Sequence, residues 1–85
     1  MFYVYVLKSK RDGECYIGST NDLRRRLIEH NSGKVFSTKT RKPFELVYYE
    51  AYKHEKDARH REHNLKLRSR AFAQLRARLR ASLET

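Results

Sequence analysis

The 85-residue chain has no tryptophan, one cysteine, one proline and three glycines. A lone Cys15 closes no internal disulfide, which excludes a secreted scaffold framed by cystines. With so little glycine and proline there is no low-complexity stretch and no linker, and no segment repeats. No run of 18 or more apolar residues occurs, so no helix is expected to cross a membrane. No basic-then-apolar leader is expected either. Met1-Phe2-Tyr3-Val4-Tyr5-Val6-Leu7 enters strand-like sequence at once, and the expected location is cytoplasmic. Negative charge is scarce too: Asp+Glu 10 face Lys+Arg 20, a formal net +10. A hydrophobic fraction of 39% allows a single domain over 1–85 with a small core. A chain of this size buries only ~60–65% of its unfolded surface.

The positive excess is spread along the chain, +4 over residues 1–50 and +6 over 51–85, rather than gathered in a tail. Six tyrosines and four phenylalanines place aromatic platforms among these cations. That composition suits a polyanion. Nucleic acid is the first partner it suggests and an anionic membrane surface the second; a basic protein with no polyanionic partner is the plain alternative.

Residues 2–7 are all β-branched, aromatic or leucine, the pattern of a strand covered on both faces. Asp12-Gly13 marks a hairpin turn, and Glu14 to Gly18 reads as the returning strand. Thr20 or Asn21 is the expected N-cap of a helix over about 22–31, with Asp22 in its first turn. Leu23 and Leu27 form its inner stripe, and Asn31-Ser32-Gly33 stops it. A polar loop, 33–43, carries four cations and three hydroxyls. A third strand follows over 44–52 and a helix over about 55–66. A last, basic helix over about 69–83 has Phe72, Leu75, Leu79 and Leu83 on one stripe. The order β-β-α-β-α-α predicts an α/β (α+β) fold: a small, mainly antiparallel three-stranded sheet flanked by helices.

Some polar residues sit where apolar ones are expected. Arg26 and His30, at i, i+4, share a helix face and leave the edge of the Leu23/Leu27 stripe. They read either as a snorkelling arginine and a boundary histidine or as functional groups. Glu62 lies on the inward stripe between Ala58 and Leu65, which is costly for a carboxylate unless it is paired or holds a metal. Arg59, Arg61 and Lys66 are near enough in sequence to make a plain salt bridge the alternative. His54, His60 and His63 match no zinc-ligand spacing and have no thiolate beside them. Nothing marks an activating partner for Cys15.

Tyr3-Val4-Tyr5 and Tyr16-Ile17-Gly18 resemble the two signature triplets of the GIY-YIG nuclease superfamily, with Tyr5 and Tyr16 as the paired strand tyrosines. Arg26 and His30 on the next helix, and Glu62 in Arg61-Glu62, fall where that family carries its arginine, histidine and metal-binding glutamate. The resemblance covers about residues 2–66, the nuclease core. Glu29-His30-Asn31-Ser32-Gly33-Lys34 and the basic C-terminal helix look like the compact stand-alone bacterial members, which are similar to the GIY-YIG domain of the bacterial excision-repair nuclease and to Slx-type endonucleases. The first triplet's glycine is Tyr3 here, and Asn64 is not equated with the family's late asparagine.

The resemblance implies a metal-dependent DNA endonuclease, selective for branched, flapped, nicked or single-stranded DNA, in repair or processing. Its catalytic set would be Tyr5, Tyr16, Arg26, His30 and Glu62. One carboxylate, Glu62, suits a single Mg²⁺ or Mn²⁺ that keeps several waters. Arg26 offers a fixed charged fork to phosphate oxygens. A free phenol titrates near ~10 and needs cations to lower it. Arg26, a metal and the +10 field are expected to do so for the tyrosine, Tyr5 first, that positions or deprotonates water. Lys34, Lys39, Arg41 and Lys42, with Ser37, Thr38 and Thr40, resemble a phosphate-gripping loop. Arg24, Arg25, Arg68 and Arg70 extend the DNA-binding surface, and Arg76, Arg78 and Arg80 add to it. RNA remains open as substrate, as do a non-catalytic nucleic-acid-binding module and a subunit that needs a protein partner.

Overall fold

The computed structural model describes residues 1–67 and 69–84, Ser69 by its backbone alone. Three strands, β1 (Phe2–Ser9), β2 (Cys15–Thr20) and β3 (Phe44–Tyr52), form one antiparallel sheet in the order β2-β1-β3. The hydrophobic run is therefore the central strand, and Val4, Val6 and Leu7 are buried at 0–1% exposure. Helix α1 (Leu23–Asn31) packs on one face; α2 (Glu55–Leu67), α3 (Ser69–Arg78) and α4 (Arg80–Glu84) cover the other. This is the predicted β-β-α-β-α-α arrangement, with the last helix divided.

Strand alternation sorts the side chains. Tyr5 and Leu7 point toward α1 and join Phe44, Tyr16, Leu23, Leu27 and Leu46. Phe2, Val4 and Val6 point the other way, onto Ala58, Leu65, Leu75 and Leu79. A bulge where the register shifts between Val6 and Leu7 bends β3.

Three local expectations are corrected. The hairpin loop ends one residue later, because Ser9 N–H donates to Glu14 O at 2.9 Å and Gly13, at φ 75°, carries the turn; β2 then runs on to Thr20. Asp22 is itself the N-cap of α1, its carboxylate accepting Arg25 N–H at 3.0 Å, while Thr20 holds Asp22 from the preceding strand. The C-terminal helix breaks at Leu79, whose N–H is shared between Leu75 O and Arg76 O at 3.1 Å each, so α4 starts afresh and wraps its Leu83 onto the core. Among the described residues no helix is long and apolar enough to cross a membrane.

Candidate active site

The site is built from β1, β2, α1 and the loop after it. Tyr5, on the central strand, lies across Gly18 of the edge strand, its register partner. A Cβ at Gly18 would fall 2.5 Å from Tyr5 Cζ. Glycine is thus required there so that the ring can lie flat over the strand and reach α1. Tyr16, opposite Leu7, stands next to it, with ring centroids 6.5 Å apart.

His30 closes the cluster from α1. Its Nε2 lies 2.9 Å from Tyr5 Oη and its Nδ1 lies 2.8 Å from Thr38 Oγ1. Its ring packs edge-on against Tyr16, at 5.0 Å, and Phe44, at 5.8 Å. The boundary position expected of His30 is corrected: it is 0% exposed, because the 33–43 loop folds back over it and Phe44 covers the remaining face. Burial, and then the Arg26 charge, push its pKa down to about 4, so the imidazole is neutral at pH 7.

Arg26 sits beside the Tyr5 hydroxyl and is braced by Glu29 at 3.1 Å. Burial raises the Tyr5 phenol above its usual value, and the Arg26 guanidinium opposes this without overcoming it. The lowering expected from Arg26 is present, yet for this protein alone burial wins. Arg26 also lines a groove of about 300 Å³ between α1 and the start of α2, together with Ser19, Arg25 and Arg59.

Glu62 approaches from the opposite face of the sheet, across the edge strand. Its carboxylate accepts Ser19 O–H at 2.6 Å and Lys66 N–H at 2.7 Å. Burial raises the Glu62 carboxyl, but Lys66 and Ser19 outweigh it and hold the pKa below the usual carboxylate value. Glu62 is still near enough to act electrostatically on Tyr5. Among the described residues no three His, Cys, Asp or Glu side chains gather into a chelating group. An ionised, partly exposed lone carboxylate would fit a divalent ion held mostly by water and substrate oxygens, and does not fit a chelated metal.

The predicted DNA-binding cations divide. Arg25 lines the groove; Arg24 on α1 and Lys34, Lys39 and Lys42 on the following loop are exposed. Arg41 is corrected: it is not a free cation of the loop, since its Nε bonds Asp12 at 3.0 Å and its guanidinium lies over Phe44, tying the loop to the β1–β2 hairpin. Thr38 is corrected as well, since at 0% exposure it faces His30 and no phosphate. Arg70 is exposed on α3, in the layer opposite Tyr5 and His30. Arg68 lies outside the described residues.

Ser19 and Asn31 are participants that sequence reasoning missed, as is the inward role of Thr38. Asn31 Nδ2 donates to Phe44 O at 3.0 Å and its Oδ1 accepts Phe44 N–H at 2.6 Å, joining the end of α1 to the start of β3. Only Asn31 carried a legible signal, a polar side chain one residue after the helix histidine.

A tyrosine pair on a hairpin, an arginine and histidine on the next helix, and a glutamate beyond the edge strand define a nuclease-type domain. Residues 1–76 match the family model described as the GIY-YIG catalytic domain, and the chain belongs to the GIY-YIG family. Within it, the chain resembles small bacterial proteins designated UPF0213. It is 46% identical to one from Bacillus pumilus over 65 residues, which is 75% of this chain and 65% of that relative. One from Staphylococcus saprophyticus is 41% identical over 69 residues, 80% of this chain and 83% of the relative. The solution NMR structure of a UPF0213 protein from Bacillus halodurans matches with a TM-score of 0.56 and 40% identity, covering 91% of this chain and 84% of that one.

Proposed function

We propose that the protein is a metal-dependent endonuclease that hydrolyses phosphodiester bonds in branched, flapped, nicked or single-stranded DNA, in repair or processing in the cytoplasm. The observation that carries this reading is the Tyr5 hydroxyl, set between the neutral His30 Nε2 at 2.9 Å and the Arg26 guanidinium that also lines the groove. A phosphate drawn to Arg26 arrives next to a phenol whose own proton already has an acceptor.

Arg26 then holds the non-bridging oxygens as charge builds on phosphorus. The Tyr5 oxygen accepts a proton from the attacking water as its own proton moves toward His30 Nε2. The new bond forms from water oxygen to phosphorus while the bond to the leaving oxygen breaks, and that oxygen takes a proton from solvent. Negative charge on the bound phosphodiester raises the basicity of both Tyr5 and His30 above that of the free protein. Tyr16, packed on His30, orients the pair. Glu62 would hold one Mg²⁺ or Mn²⁺, whose contribution is to neutralise charge on the phosphate.

Arg24, Arg25, Lys34, Lys39 and Lys42 would supply phosphate contacts and a steep salt dependence. Phe36 is 83% exposed with Lys39 over its ring at 4.8 Å, an aromatic surface among cations that favours unpaired bases over continuous duplex. The test is a cleavage assay on end-labelled single-stranded, duplex, nicked, flapped and branched DNA, with Mg²⁺, Mn²⁺ or EDTA. Metal-dependent cutting lost in Tyr5→Phe, Arg26→Ala and Glu62→Ala is expected. Binding without cutting under any metal would overturn the reading in favour of a binding module.

A further inference from the structure

Every hydrogen in the buried chain Tyr5–His30–Thr38–Val35 can be assigned by asking which groups are able to accept. The Tyr5 hydroxyl is 2.9 Å from His30 Nε2, its one hydrogen-bond acceptor among the described residues. Its other polar neighbour, the Arg26 guanidinium, has only donors to offer. The phenol proton therefore goes to Nε2, which must be bare. A neutral imidazole carries its one proton on the other nitrogen, so Nδ1–H donates to Thr38 Oγ1 at 2.8 Å. The Thr38 hydroxyl in turn donates to the Val35 carbonyl at 3.4 Å, within a turn closed by Thr38 N–H to the same oxygen at 3.1 Å. The reversed arrangement, with Thr38 donating to Nδ1 and Nε2–H to Tyr5, would strand the phenol proton against a cation in a site where Tyr5 is 2% exposed.

We infer that Thr38 is a positioning residue: by accepting the Nδ1–H proton it stabilises, together with the Tyr5 phenol at the other nitrogen, the tautomer that keeps Nε2 free for the Tyr5 proton. Thr38 touches no substrate; its effect passes through His30. It is fully buried on a loop whose neighbours Ser37 and Lys39 are exposed, so its hydroxyl is held in place by the turn rather than available to a phosphate. The catalytic consequence rests on the nuclease reading; the tautomer does not.

The experiment is a two-bond ¹H–¹⁵N correlation spectrum of the histidine rings at pH 7, without metal or DNA, on wild type, Thr38→Val and Thr38→Ser. The bare and the protonated ring nitrogens resonate far apart, so the tautomer is read directly. We expect Nδ1–H in wild type and in Thr38→Ser; in Thr38→Val, where that proton has no acceptor and only Tyr5 still favours the tautomer, an Nε2–H population is expected to appear beside it. An Nε2–H tautomer in wild type overturns the inference, and so does a spectrum that Thr38→Val leaves unchanged. Should Thr38→Val fail to fold, Thr38→Ala, which adds no bulk, answers in its place. In the cleavage assay, Thr38→Val is expected to lower kcat about 10²-fold while KM holds, with Thr38→Ser restoring most of it. The expected tautomer in wild type, its shift in Thr38→Val and no cleavage would together support the role of Thr38 and count against the nuclease.

Discussion

Two networks of tyrosine hydroxyls, one buried and one half-buried, lie on opposite faces of the sheet, and they are wired in opposite senses. Toward α2, Tyr48 and Tyr52 both donate to Glu50, at 2.6 and 2.5 Å, and Arg61 binds the same carboxylate through Nε and Nη2 at 3.0 Å each. There the cation meets the acceptor, and both phenols, raised by burial and then by Glu50, reach pKa values of about 12. Toward α1, the acceptor is the neutral His30 and the cation sits on the phenol instead. The first network is a closed ion pair that holds its protons. The second leaves the Tyr5 oxygen beside a charge that stabilises phenolate. Both faces set tyrosine hydroxyls beside an acceptor and an arginine; where the cation stands sets them apart.

The sharpest break of this comparison is catalytic. Tyr5→Phe and Arg26→Ala are each expected to lower cleavage about 10²–10³-fold, the usual cost of removing one charge-stabilising group, whereas Tyr48→Phe and Tyr52→Phe leave cleavage unchanged in the same assay. Equal losses on both faces would end the distinction.

The two networks also differ in pH dependence. His30 titrates at 6.5 when unfolded and at about 4 in the fold. The unfolded chain therefore binds more protons between these values, and stability present above pH 6.5 is lost as pH falls to 4. The loss is roughly 3 kcal/mol. Glu50 is raised by burial, then outweighed by Arg61, Tyr48 and Tyr52 and held below 4.5, so its contribution persists down to that pH and is lost only below it. Urea denaturation at pH 7, 5.5 and 4.5 separates the two windows, and a flat profile above pH 4.5 would contradict a neutral buried His30.

A smaller effect is expected from Glu50→Gln, about 2 kcal/mol of stability by the same titration, since Arg61 keeps only a neutral partner. Cleavage at a temperature where the variant is folded should be untouched. Smallest is Lys66→Met, which frees a Glu62 oxygen. Calorimetric Mn²⁺ titration should show tighter binding by about fivefold or less, as fits a partly exposed ion pair.

Much of this was legible in the residues. The apolar run Phe2–Leu7, the Asp12-Gly13 turn and the Leu75/Leu79/Leu83 stripe are local patterns, and each produced its element. The polar misfits were visible because Glu62 on a core stripe, and Arg26 and His30 at the edge of one, conflict with the pattern around them. The role of Thr38 was invisible for the converse reason. In a loop of threonines, serine and lysines no periodicity says which hydroxyl turns inward, and only the fold of the loop over His30 decides it. Arg41 was misread likewise, since its partner Asp12 is 29 residues away. The break at Leu79 left no mark because the apolar stripe runs straight through it.

The two bonds between Asn31 and the backbone of Phe44 pin both ends of the segment they enclose. Chain inserted into a ring fastened at its base costs little, about 0.6 kcal/mol for each doubling of length. With Thr38 as the inward anchor, the outward positions from Lys34 to Lys42 can vary in composition and reach without moving the histidine. The clamp thus lets the outward surface of the loop diverge while the histidine cluster beneath it stays in place.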